Sequence, residues 1–263
     1  MTVATVSDIV YGSVLGAGLV ADIAFKKEIA GPLPAIISIH GGRWIRGTRF
    51  DDGRDGRPDN GVIDLERWAE AGFFAMRIDY RLVTCTPAPA CFQDAMCAVR
   101  WVHAHAAQFA IDEDRVVLIG QSAGGHLAAL AATAGADLYE PSGGWEDSRA
   151  DFAAAISISG AYDLVTLDWG SGWCPSSVPW DAARKLASPI EQATHDARPM
   201  LIVHAANDDS VPVIQADAFV RKLRELGAPH TYCRHETGGH LRITDTVYEQ
   251  CQTFINKLRR NSS

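Results

Sequence analysis

Short, largely apolar runs recur along the chain: AIISI (35–39), FFAMRI (73–78), RVVLIG (115–120), AAAISI (153–158) and MLIVH (200–204), then the more polar HTYCRH (230–235). A strand with one wet face alternates apolar and polar residues, whereas a strand covered on both faces need not. Between these runs lie stretches with helical spacing. DLERWAEAG precedes FFAMRI, and CFQDAMCAVRWVHAHAAQF brings Phe92, Met96, Val99 and Val102 near one face. SAGGHLAALAAT, IQADAFVRKLRELG and ITDTVYEQCQTFINKLRR complete the set. Strand and helix in alternation make βαβ units, so the fold class is α/β, with a mostly parallel sheet flanked by helices. Near the start, SDIVY and GLVADIAF read as an antiparallel hairpin, which brings the sheet to about eight strands. No repeat, low-complexity tract or linker divides residues 1–263, so a single domain is expected. Ligands of such sheets bind beyond the carboxyl ends of the strands.

Composition narrows the partners. A formal net charge of -8 disfavours nucleic acid and anionic membranes, which reward surface Lys and Arg. No apolar run is long enough to span a bilayer, so no membrane insertion is expected. The start, MTVATVSDIVYGS, lacks a basic segment followed by an apolar one, which points to a cytoplasmic protein. Cysteines 85, 91, 97, 174, 233 and 251 have no zinc-ligand spacing, so no metal site is expected. Buried thiols are the simpler expectation, although Cys85 and Cys91 bracket TPAPA closely enough to form a local disulfide. The acids of DDGRDGRPDNG (51–61) lack the ordered spacing of a calcium loop and read as a solvated segment.

RVVLIG runs directly into Gly120-Gln121-Ser122-Ala123-Gly124-Gly125 and an Ala-rich helix. G-x-S-x-G in a strand–turn–helix setting forces the serine into a strained conformation and thrusts its Oγ above the sheet. The helix N-terminus behind it favours a developing anion. A serine hydroxyl needs a base, and imidazole suits neutral pH. Of nine histidines, His240 follows Gly238-Gly239 beyond the last strand and is preferred, with His235 as the rival. His103 and His105 lie within a helix, and His126 one turn into the serine's helix, where packing explains them. The carboxylate that orients the base is sought in AANDDSVPV: Asp208 first, Asp209 next, with Asp163 of GAYD as a third option. The order Ser122, Asp208, His240 is that of the α/β-hydrolases.

With these residues in place, the chain resembles the α/β-hydrolases over nearly its whole length. IHGGRW resembles the HGGGW or HGGxW motif of the hormone-sensitive-lipase-like carboxylesterases. IDYRL (78–82), QDAMCAVRWV (93–102), GQSAGGHLA (120–128), AANDDSVP (205–212) and GGH (238–240) follow in that family's order. The pattern is also similar to small feruloyl and acetyl esterases and to kynurenine formamidases. The resemblance implies an enzyme without a cofactor that cleaves a small-molecule ester. Amide or formamide cleavage is the alternative, and a ligand-binding protein on a hydrolase scaffold is a more distant one. The resemblance also implies that the N–H groups of Gly42, Arg43 and Ala123 form the oxyanion hole, with Gly41 shaping the turn. It leaves monomer and homodimer open.

Three departures matter. The chain has a hairpin where the hormone-sensitive-lipase-like enzymes often carry a helical cap, Ala205 replaces the usual glycine after His204, and Arg43 replaces the third glycine of HGGG. The Arg43 side chain either turns to solvent or an acid of segment 51–61, or borders the pocket and selects an anionic substrate. A lid-like insertion is expected over about 164–190, where Trp169 and Trp173 either wall an acyl pocket or pack the insertion onto the sheet. Trp44 carries the same two readings.

Overall fold

The computed structural model describes residues 2–28, 31–53, 59–173 and 180–261. The strands are β1 (Val3–Val14), β2 (Ala17–Lys26), β3 (Leu33–Ile39), β4 (Phe74–Ile78), β5 (Ile111–Gln121), β6 (Ala154–Ile158), β7 (Met200–Ala205) and β8 (His230–His235). They form one eight-stranded sheet in the order β1-β2-β4-β3-β5-β6-β7-β8. The hairpin β1–β2 is antiparallel, β2 adds antiparallel to β4, and every pairing from β4 to β8 is parallel. This is the α/β-hydrolase fold.

The apolar runs lack alternation because the two faces share them. Ala35, Ile37 and Ile39 of β3, with Val116 and Leu118 of β5, enter one core. Ile36, Val117 and Ile119 point the other way, into a second core with Trp68, Phe73 and Phe254. The larger core is closed by α2 (Ala90–Ala104), with short α3 (Ala106–Phe109) behind it, and by α4 (Ala123–Ala134). The second is closed by α1 (Leu65–Glu70) and α8 (Asp245–Asn261). Helices α5 (Trp180–Leu186), α6 (Pro189–Gln192) and α7 (Ile214–Leu226) complete the chain. Asp64 caps α1 by accepting the N–H groups of Glu66 and Arg67.

Charged groups join the layers. Asp94 of α2 is fully buried and accepts both the backbone N–H and the guanidinium of Arg81, beyond β4, which ties IDYRL to QDAMC. Cys85 and Cys91 are free thiols, so TPAPA is not closed by a disulfide. Cys91 is buried on α2 while Cys85 faces solvent, and burial pushes the Cys91 thiol up rather than activating it. Cys174 lies outside the described residues, as do residues 174–179 of the insertion and 54–58 of the acidic segment.

Candidate active site

Ser122 stands between β5 and α4 with φ 55° and ψ −117°, a strained conformation held from both sides. Its N–H donates to Ile158 O at 2.8 Å, and its carbonyl accepts His126 N–H at 2.9 Å. The flanking glycines are required sterically. A Cβ on Gly124 would lie 2.0 Å from Ile39 O, and one on Gly120 would lie 2.2 Å from the Gly124 carbonyl carbon.

His240 occupies the turn after β8. Its Nδ1 lies 2.9 and 3.1 Å from the two carboxylate oxygens of Asp208. A proton on Nδ1 serves that contact and leaves Nε2 with its lone pair. Asp208 also accepts the N–H groups of Ser210 (3.0 Å) and Val211 (2.9 Å). Burial works to raise its carboxyl, but the His240 and Val211 bonds outweigh it and hold it below the usual carboxylate range. Of the three acids the sequence offers, Asp208 is the one that meets His240. Asp209 is exposed, and Asp163 caps its own turn through Val165 and Thr166. His235 bonds Gln250, and the buried His126 bonds Ala187 O through Nε2 at 2.7 Å.

The segment after β3 runs through three consecutive left-handed residues: Gly42 (φ 103°), Arg43 (φ 55°) and Trp44 (φ 61°). Gly42 O accepts Ile45 and Arg46 N–H, and a Cβ on Gly42 would lie 2.1 Å from Arg46 O. The N–H groups of Gly42, Arg43 and Ala123 find no acceptor among the described residues. Gly41 differs, because its N–H donates to Asn60 O at 2.8 Å and is not available to a substrate. Its place in the turn is steric: a Cβ there would lie 2.4 Å from Gln121 Oε1.

Trp44 is fully buried, with its ring 5.2 Å from Trp169, 5.5 Å from Trp173 and 5.0 Å from His126. Trp44 and Trp173 thus pack the insertion onto the loop after β3. Trp169 is half-buried and walls a cleft of about 650 Å³ shared with Arg43, Asp163, Asp168, Asp209 and Gln215. The Arg43 guanidinium lies 5.3 Å from the centre of the Trp169 ring. Described acids of segment 51–61 are engaged elsewhere: Asp51 with Thr48 and Asn60, Asp52 with Arg77, and Asp59 with Gly61 N–H and Arg242.

Residues 21–223 match the family model BD-FAE, most of the sheet and the serine turn included. The chain belongs to the BD-FAE family. Among curated relatives of this BD-FAE chain is Esterase LipC of Mycobacterium tuberculosis, 30% identical over 222 residues, 78% of this chain and 52% of that protein. Another is a probable carboxylic ester hydrolase, LipM, of the same organism, 29% identical over 76% of this chain and 47% of that protein. The chain therefore spans about half the length of the curated relatives it matches. A truncated carbohydrate esterase from gut microbiota superposes with a TM-score of 0.83 at 22% identity, over 97% of this chain and 96% of the other. A thermophilic esterase from Thermogutta terrifontis gives 0.75 at 24% identity, over 96% and 91%. At such identity these likenesses speak for the fold. Among the described residues no group of His, Cys, Asp and Glu is placed to hold a metal ion, and no helix is long and apolar enough to cross a membrane.

Two features of the site are not apparent from sequence motifs. Gln121 Nε2 donates to Leu241 O at 3.0 Å, which joins the serine turn to the histidine turn. Arg49 anchors the loop after β3 to Asp8, Asp22 and Asp79 on three other segments.

Proposed function

We propose that this protein is a serine hydrolase that cleaves small or medium carboxylic esters through an acyl-enzyme. The observation that supports the reading is the His240–Asp208 pair in the turn after β8, a turn tied through Leu241 O to Gln121, the neighbour of the strained Ser122. Ser122 Oγ attacks the ester carbonyl while His240 Nε2 takes its proton, and Asp208 stabilises the imidazolium that forms. The N–H groups of Gly42, Arg43 and Ala123 receive the oxyanion, each contributing about 3–4 kcal/mol to the transition state. His240 then protonates the departing alcohol, and water repeats the sequence on the acyl-enzyme. No cofactor enters these steps. The cleft beside Arg43, walled by Trp169, takes part of the substrate, and the described part of segment 164–190 serves as the lid-like insertion that carries this wall. The names of the relatives, esterase and carboxylic ester hydrolase, support the same reading.

A panel of chromogenic esters with matched anilides tests it, alongside labelling by a serine-directed phosphonate. Ser122→Ala is expected to lower kcat by at least about 10⁴-fold and to abolish labelling. Ester turnover that survives this change near the wild-type rate overturns the mechanism, and a preference for the anilides moves the reading to amide cleavage.

A further inference from the structure

Ser159 follows β6 directly and is fully buried, with φ 46°, in the left-handed region where a side chain is strained. Its own N–H is spent on Val203 O of β7 at 2.8 Å. Its Oγ accepts the N–H of Leu241, the residue after His240, at 3.0 Å. Leu241 is also held through its carbonyl, by Gln121 at the end of β5. On the other side of His240, Gly239 N–H donates to Asn207 Oδ1 at 2.9 Å. The histidine turn contains Gly238 (φ 132°) and Gly239 (φ 60°), and glycine permits many conformations. These three bonds, with the Asp208 contact to His240, help to hold the turn in one.

With Leu241 N–H on its lone pair, the Ser159 hydroxyl retains its proton to donate. The Asp208 carboxylate is held ionised in part by Ser159. Burial raises that carboxyl, the bonds from His240 and Val211 lower it most, and Ser159 adds to the lowering.

We propose that Ser159 is a positioning residue whose hydroxyl locks the His240 turn to β6, so that base and carboxylate keep one geometry. The proposal rests on the esterase reading above. A hydroxyl acting in this way changes turnover more than substrate binding. Its loss also leaves the Leu241 N–H without its acceptor and frees the turn that carries His240.

Two substitutions separate the hydroxyl from the backbone. Ser159→Ala removes the hydroxyl and keeps a side chain in the left-handed region, whereas Ser159→Gly removes the hydroxyl and relieves the strain. Both are expected to lower kcat by about tenfold with KM within about twofold of wild type, while S159G melts above S159A. In both, labelling of Ser122 by the phosphonate is expected to slow by a similar factor, because it too needs a positioned His240. Wild-type kcat and a wild-type labelling rate in S159G overturn the proposal, leaving Ser159 a purely structural residue. If wild-type protein neither turns over esters nor takes the phosphonate on Ser122, the esterase reading falls and this proposal falls with it. If wild type does both and the variants are unimpaired, the proposal alone falls.

Discussion

Arg43 combines two roles that chemistry usually separates. Its amide belongs to the left-handed run after β3, a conformation that suits glycine, while its guanidinium caps Trp169 at the cleft. IHGGRW, through its glycines, made a turn with an accessible main chain after β3 legible. It could not show the side chain's surroundings, which come from 120 or more residues later. Asp163, Asp168 and Asp209 line the same cleft, so Arg43 is outnumbered by carboxylates there. Under the esterase reading, an anionic substrate in this cleft would meet Arg43 as the cation that offsets them. Arg43→Gly is expected to raise stability by up to about 1 kcal/mol by relieving the strain, read as a rise of about 2–4 °C in Tm. It should also lower kcat/KM for anionic esters at least about fivefold more than for neutral ones. Equal losses on both substrates would show that the side chain does not select.

At the scale of elements, the loop after β3 needs fixing because two of its left-handed residues carry side chains. Trp44 is one anchor, buried between α4 and the insertion. Tyr80 is another, its ring stacked 4.0 Å from His40 and its hydroxyl within reach of His40 O and Gly41 O. The third is a cluster of charges. Arg49 and Arg77 share Asp22, which is fully buried on β2, at 3.1 and 3.0 Å, and Arg49 extends to Asp8 of β1 and to Asp79. Hairpin β1–β2 thereby braces the loop. The strands themselves were legible in the apolar runs. The cluster was not, because its pairing depends on the register of an antiparallel hairpin, which no local pattern specifies. Arg49→Met strands Asp22 with one guanidinium fewer and is expected to cost about 3–5 kcal/mol of unfolding free energy. Asp8→Asn, at a side chain 74% exposed, should cost under about 1 kcal/mol. Urea unfolding of both variants measures the difference, and equal effects would mean that the cluster does not act through the buried acid.

Over the whole molecule, what sequence discloses is what sterics and periodicity impose: strand order along the chain, the serine turn, the histidine beyond the last strand. What it leaves dark are contacts chosen by packing, such as Asn60 capturing Gly41 N–H or Ser159 meeting Leu241. Buried imidazoles belong to the second kind, and they set how stability follows pH. Burial lowers the pKa of His40 and His204, and it lowers His126 to about 4. Each stays neutral in the fold at pH values where the unfolded chain, titrating near 6.5, takes up a proton. Their contribution is complete above about pH 6.5 and drains away as the pH falls toward 4, with His126 alone worth on the order of 3 kcal/mol. Carboxylates act lower down. Asp208, held below its ordinary value of 3.8, adds its own loss there, while Asp94, raised by burial, opposes it. Unfolding free energies by urea at pH 7.5, 6.5, 5.5 and 4.5 (conditions chosen to span about one unit each) should therefore fall steadily below 6.5. His126→Gln, which retains a donor toward Ala187 O, should flatten the curve by about one proton's share of its slope. A stability that stays level from pH 7.5 to 5 would mean that the three imidazoles find protonated states inside the fold, and the account of their burial would have to be abandoned.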